Sequence, residues 1–255
     1  MLIVISPAKT LDFSNINSGK EHSIPLFLED AAKLVKIIKK FKPDRLSSLM
    51  GISAKLADLN YERFLKWDSE HNITNAKSAI FAFKGDVYIG LEAESLADHQ
   101  LSYLNRNVRI LSGLYGTLRP LDIIKEYRLE MGTALPNPKG SDLYKFWGSK
   151  ISKQINLDIE QSEGEKVLVN LASNEYFKSL PLKDIKYRII TPTFKEYKND
   201  EYKIVSFFAK KARGLMTRYI AMNNLNQTED IKLFNLGGYT FNESLSKANE
   251  WVFTR

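Results

Sequence analysis

Cysteine is absent from the 255-residue sequence. That excludes disulfides, thiolate nucleophiles and cysteine-held zinc or iron–sulfur clusters. Histidine is scarce: His22, His71 and His99 stand far apart in no ligand spacing, so no metal site is expected. Long apolar runs are missing as well. The N-terminal run at residues 2–5 is too short for the core of a signal peptide or for a membrane span, which points to the cytoplasm and away from membranes. The nucleotide and hydrolase fingerprints GxGxxG, HExxH and GxSxG do not occur. Gly85 and Gly90 have the glycine spacing of a P-loop, but Leu91 stands where its lysine must be. No cofactor is therefore expected. Ser6 and Lys9 form S-x-x-K, yet the S-D-N and K-T-G partners of that serine–lysine chemistry are missing.

What is present is an ordinary globular balance, 44% hydrophobic and 26% charged, enough apolar content for a real core. Thirty-seven Lys and Arg against 30 Asp and Glu leave a formal charge of +7, which draws a protein of this size to polyanions. The patterning predicts a buried strand at 2–5 and a helix over 27–41 with Leu28, Ala31, Val35 and Ile38 on one face. Pro43 opens two short helical pieces around Gly51. Asn72 or Thr74 is expected to cap a helix ending near Phe83, followed by a strand or turn at 85–90 and a helix over 95–105. Further on come a strand at 109–111, a helix opened by Asp142 and carrying Trp147, Ile151 and Ile155, and a strand at 166–171. Residues 187–197 and 201–208 read as a hairpin, 210–223 as a helix, and 239–241 with 251–254 as a last hairpin. These elements lack the strict alternation of a doubly wound fold, and no linker or repeat divides them. The expected architecture is a single α+β domain over 1–255, a mixed β-sheet surrounded by helices.

Two segments carry candidate chemistry. Residues 45–60, RLSSLMGISAKLADLN, set Leu46, Leu49, Ile52, Leu56 and Leu59 about a glycine turn. The pattern resembles a helix-hairpin-helix element, at about residues 43–60, in which backbone N–H groups of Gly51, Ile52 and Ser53 face a phosphate and Lys55 adds charge. Met50 replaces the usual proline there and Ser53 the second glycine. An ordinary helical hairpin is the alternative. Residues 207–219, FFAKKARGLMTRY, hold Lys210, Lys211, Arg213 and Arg218 with no acid among them. Gly214 inside that helix suggests close approach of something to the backbone.

Seven stretches, SPAKTLDF (6–13), FKGDVYIGL (83–91), LSGLYGTLRPLD (111–122), YRLEMG (127–132), DLYKFW (142–147), NLASNEYFKS (170–179) and FFAKKARGLM (207–216), together resemble the YaaA peroxide stress resistance family along nearly the whole chain. That resemblance implies a role in peroxide-stress defence, a lowered pool of free intracellular iron, and a DNA-binding fold with a basic cleft and a helix-hairpin-helix element. The expected partner is double-stranded or branched DNA, gripped largely without regard to sequence; no protein partner is evident. Lys9, Lys84, Arg119, Arg128, Lys210, Lys211 and Arg213 lie inside the matching stretches, accompanied by the acids Asp86 and Glu130. Converging from separate segments, such cations make a phosphate site, with an acid to orient a base or pair with an arginine. The alternative function is an enzyme acting on a nucleotide or nucleobase in the same cleft, with Asp86 or Glu130 as acid–base group. A third reading, iron held directly by carboxylates, has the least support. Tyr115, Tyr127, Tyr144, Phe146 and Trp147 are candidate base-stacking rings, though core positions suit most of them better.

Overall fold

The computed structural model describes residues 1–14 and 21–255. Strand β1 (Leu2–Ile5) is four apolar residues buried on both faces, as an inner strand of a parallel sheet requires. It is followed by β2 (Thr10–Leu11) and the helices α1 (Leu28–Ile38), α2 (Pro43–Met50) and α3 (Ala54–Lys66). Short elements come next: β3 (Lys77–Ser78), α4 (Ala79–Ala82), β4 (Phe83–Lys84) and α5 (Asp86–Leu91). Helix α6 (Asp98–Asn107) feeds β5 (Val108–Ser112), β6 (Gly116–Leu118) and β7 (Ile123–Ile124). Then α7 (Leu143–Trp147) and α8 (Lys150–Gln161) lead to β8 (Val167–Leu171), α9 (Asn174–Phe177) and β9 (Arg188–Lys198). The chain closes with β10 (Glu201–Lys203), α10 (Ser206–Met222), β11 (Thr240–Phe241) and β12 (Glu250–Thr254). No helix among the described residues is long and apolar enough to cross a membrane.

The main sheet runs β11-β12-β9-β8-β1-β5-β6, with β10 added beyond β9. Its inner strands β12, β9, β8, β1 and β5 are all parallel; only β11, β6 and β10 pair antiparallel. This corrects the α+β expectation: the fold is α/β, a mostly parallel sheet wrapped in helices. The alternation was hidden by the crossover from β1 to β5, which among the described residues carries six helices and three small strands. From β1 the chain pairs first with β5 on one side and later with β8 on the other. β1 is thus the point where the strand order reverses, and the carboxyl ends of such strands open a crevice suited to ligands.

Local expectations fared unevenly. The strand at β1, the last hairpin and the Asp142 cap stand, the cap with its side chain accepting from the Lys145 amide at 2.8 Å; the first hairpin forms with a second strand of only 201–203, since residues 206–208 already belong to α10. The helix opened there stops at Gly148 and restarts at Lys150. No helix runs from Asn72 to Phe83, because Lys77 and Ser78 pair with Ile124 and Ile123 instead. Residues 86–91 form a helix, α5, where a strand or turn was expected. The cause is tertiary: α5 crosses α10 backbone to backbone. A Cβ added at Gly214 would stand 1.8 Å from the Val87 carbonyl oxygen, and one at Gly90 2.2 Å from that of Lys211. What approaches Gly214 is therefore α5.

Candidate functional site: a glycine turn and the carboxyl edge of the sheet

Helices α2 and α3 meet at Gly51, which takes the left-handed conformation (φ 60°, ψ 43°) that ends α2. Its N–H and that of Ile52 both turn back to the Ser47 carbonyl, the latter at 3.1 Å, while Ser47 Oγ donates to the Ile52 carbonyl at 2.6 Å. Ser53 caps α3 by accepting from the Leu56 amide at 3.4 Å. The amides of Ser53, Ala54 and Lys55 find no acceptor among the described residues, as expected of a helix's first turn. Gly51, Ser53, Ala54 and Lys55 are exposed. Two details differ from expectation. The Gly51 and Ile52 amides are both consumed by the turn, and Leu56 and Leu59 point outward, because the inward face of α3 is Ala57, Asn60 and Phe64.

The hairpin is moored at its far end. The Trp67 indole donates to the Tyr115 hydroxyl at 3.0 Å, the Lys125 amide donates to it at 3.2 Å, and His71 Nε2 lies 3.0 Å away. With two donors already aimed at the oxygen, the single phenol hydrogen goes to His71 Nε2, which must be unprotonated. Burial first, and then the Lys125 charge, lowers the His71 pKa to about 4.

The second place of interest is the carboxyl edge of the sheet. Ser6 follows β1 and Ser173 follows β8; the Ser173 amide donates to Ser6 Oγ at 2.8 Å and Ser6 Oγ donates to Ser173 Oγ at 3.3 Å. Tyr88 of α5 donates its hydroxyl to the Ser6 carbonyl at 3.1 Å. Glu130 receives Lys9 Nζ at 3.0 Å and the Arg128 guanidinium at 2.8 and 3.1 Å. Glu175 takes the Gly132 amide at 2.9 Å. Tyr127 shares a 2.7 Å hydrogen bond with Ser112 at the end of β5. Burial pushes the phenols of Tyr88, Tyr127 and Tyr176 upward, so all three stay neutral. Ser6 and Lys9 are not on a helix, and Lys9 turns to Glu130, so the lysine is not placed to activate the serine.

The remaining predicted residues divide plainly. Lys84 pairs with Asp12 at 2.8 Å, and hydrogen bonds from Lys84 and Ser14 hold that carboxyl well below the usual range. Arg119 pairs with Asp122 at 3.0 Å, and Arg218 donates to the carbonyls of Leu91 and Glu92 at 3.0 and 2.9 Å, tying α10 to α5. Asp86, Lys55, Lys210, Lys211 and Arg213 have no ion pair or side-chain hydrogen bond among the described residues. No group of three His, Asp or Glu able to hold a metal is found among the described residues.

A family model described as "Peroxide stress protein YaaA" matches residues 1–245. The chain belongs to that family. Among YaaA-family relatives, a UPF0246 protein of Hahella chejuensis is 51% identical over 255 residues, covering 100% of this chain and 99% of its own. A UPF0246 protein of Colwellia psychrerythraea is also 51% identical, and one of Shewanella sp. (strain ANA-3) 48%, with the same coverage. Five of the seven stretches that carry the YaaA resemblance contribute to the polar cluster at the carboxyl edge of the sheet. They bring Ser6 and Lys9, Tyr88, Ser112, Arg128 and Glu130, and Ser173 and Glu175. Ser173, Glu175, Tyr88 and Tyr176 were missed from the sequence, although Ser6 and Ser173 sit directly after two correctly read strands. Of the candidate stacking rings, Tyr115, Tyr127, Phe146 and Trp147 are core, while Tyr144 donates to the Glu175 carbonyl at 2.9 Å.

Proposed function

We propose that this YaaA-family protein is a cytoplasmic DNA-binding protein of peroxide-stress defence, gripping double-stranded or branched DNA through phosphate contacts in a basic cleft. The α2–α3 pair acts in this reading as a helix-hairpin-helix element. The observation that carries it is the exposed turn at Gly51, where among the described residues the amides of Ser53, Ala54 and Lys55 lack acceptors and Lys55 has no ion pair. Lys210 and Lys211, exposed on α10 and without an ion pair among the described residues, add to the cationic surface. Such contacts carry no sequence information. The association with a lowered pool of free iron belongs to the same reading and rests on the family resemblance.

The test is fluorescence anisotropy with a random-sequence duplex. Affinity should fall roughly tenfold or more between about 50 and 200 mM salt. Lys55→Ala should weaken binding by about 1 kcal/mol at every sequence alike. Affinity that stays level across that salt range removes the reading.

A second reading is favoured by one arrangement: Lys9 and Arg128 gathered on Glu130 beside the Ser6–Ser173 pair, at the point where strand order reverses. It makes the crevice the site of an enzyme acting on a nucleotide or nucleobase. Glu130 is then the acid–base group in preference to Asp86, which has no ion pair among the described residues. Turnover of a nucleotide panel that survives Glu130→Gln unchanged eliminates it.

A further inference from the structure

Beside the moored end of the α2–α3 hairpin lies a cavity of about 490 Å³ that neither reading above employs. That volume is in the range of cavities that enclose small molecules. Helix α3 forms one wall with Leu59, Glu62, Arg63 and Lys66, which recur at three- and four-residue spacing along one face. Lys125 and Glu126, just after β7, form another, and Phe13 and Trp67 add apolar surface.

Arg63 is the least satisfied group of this lining. Its side chain is 19% exposed, and Nη2 donates to Glu126 Oε1 at 2.5 Å. Nε is buried without a hydrogen-bond partner, and Nη1 has none among the described residues. A buried donor without an acceptor is uncommon in folded proteins, because nothing replaces its lost hydration. Two further cations line the same space. Lys125, 11% exposed, donates to Asp68 at 2.7 Å and has donors to spare. Lys66 is exposed, with no ion pair among the described residues. Glu62 has none either, although it stands four residues before Lys66, the spacing at which the two would join along a helix. The cavity thus keeps one cation and one acid free.

The balance of charge says what kind of molecule fits. Three cations, Arg63, Lys66 and Lys125, share the lining with three acids, Glu62, Asp68 and Glu126, in a chain whose overall charge is +7. Asp68 stays ionised, since the hydrogen bond from Lys125 lowers its pKa. A phosphate dianion brought to Arg63 would meet those acids as well, and like charges disfavour it. An uncharged ring would leave the guanidinium unmatched. A zwitterion answers both signs. We infer that this cavity is a binding site for a free α-amino acid with a large apolar side chain. Its carboxylate meets the guanidinium fork of Arg63, with Lys66 beside it, and its ammonium meets Glu62. Its side chain lies against Leu59, Phe13 and Trp67. Leu59, 43% exposed on the outward face of the hairpin, is covered by that contact. The inference needs neither the DNA reading nor the nucleotide reading.

The experiment measures binding of L-leucine, L-methionine, L-phenylalanine and L-tryptophan to the full chain by calorimetry and thermal shift, with inorganic phosphate and adenosine alongside. At least one of the amino acids should bind and raise the melting temperature, and phosphate and adenosine should do so far less. Removing the carboxylate or the ammonium from the tightest binder, as phenylethylamine and phenylpropanoate do for phenylalanine, should weaken it by about tenfold or more. Arg63→Gln should weaken the amino acid as much. Because that change also leaves Glu126 without its partner, two exposed residues that hold no ion pair carry the test independently of folding. Lys66→Gln and Glu62→Gln should each weaken the amino acid by about threefold or more, and Glu62→Gln should spare the analogue that lacks the ammonium. Lys183→Gln, at an exposed lysine before β9, should change affinity by less than about twofold. The site falls if none of the amino acids binds, or if phosphate or adenosine binds more tightly. It falls equally if Lys66→Gln and Glu62→Gln both bind as the unaltered protein does.

Discussion

The turn at Gly51 and the crossing at Gly214 use the same residue for opposite reasons. At Gly51 nothing lies within 4 Å of where a Cβ would be, and the demand is a left-handed backbone. At Gly214 the backbone is helical and the demand is space, since the Val87 carbonyl fills the place of a side chain. The first is a local requirement set by neighbouring residues. The second exists only after α5 and α10 have met. The two candidate sites inherit that contrast: an exposed turn of free amides formed by neighbouring residues, and a polar cluster at the sheet edge assembled from distant segments.

The sharpest way to break the comparison is to place valine at both glycines. Gly214→Val forces a methyl-bearing carbon into a backbone oxygen and should destabilise the fold by more than about 3 kcal/mol, read by chemical denaturation. A loss below about 1 kcal/mol would mean that α5 and α10 do not cross as described.

Next in size is a pH effect confined to the hairpin's mooring. His71 is held neutral against Tyr115, with its pKa lowered from 6.5 to about 4. Between those values the unfolded chain takes up a proton that the folded one refuses. Stability is thus complete above pH 6.5 and declines as pH falls towards about 4, by on the order of 3 kcal/mol. Denaturation curves from pH 4 to 7 should show this slope in the unaltered protein, and His71→Gln should flatten it. A flat profile before substitution contradicts the mooring.

Smaller still is Gly51→Val, which should cost about 1–3 kcal/mol through backbone strain alone. Gly51→Asn, tolerant of the left-handed region, should cost less. If Val and Asn behaved alike at this position, the argument from conformation would be lost.

The same contrast governs how far the sequence could be read. The α2–α3 hairpin was legible because its signals, Pro43, Gly51 and the Ser53 cap, lie within a dozen residues of one another. Helix α5 was not, because DVYIGL has weak helical propensity and owes its conformation to packing against α10. The parallel sheet was concealed by the length of its crossovers. Within the crevice, Lys9, Arg128 and Glu130 were named through the family-like stretches, but that two cations share one carboxylate depended on geometry. Tyr88, Ser173 and Glu175 left no mark that periodicity or charge could reveal; only their position just beyond strand ends, or within a stretch resembling the family, set them apart.

The central place of β1 has a consequence for how the protein comes to be made. Ile3 pairs with Val108 on one side and Val169 on the other, so the middle of the sheet joins residues remote along the chain. Loop-closure entropy must be met before either pairing yields any stabilisation, and folding dominated by such contacts is slow. At synthesis rates of about 5–20 residues per second, the segment bearing Ile3 waits on the order of ten seconds or more for its β8 partner to emerge. For that interval Leu2, Ile3, Val4 and Ile5 are an apolar strand with its β8 edge unpaired, and until β5 emerges with neither edge paired. The fold's most deeply protected residues are thus, during synthesis, among those most in need of a chaperone's shelter.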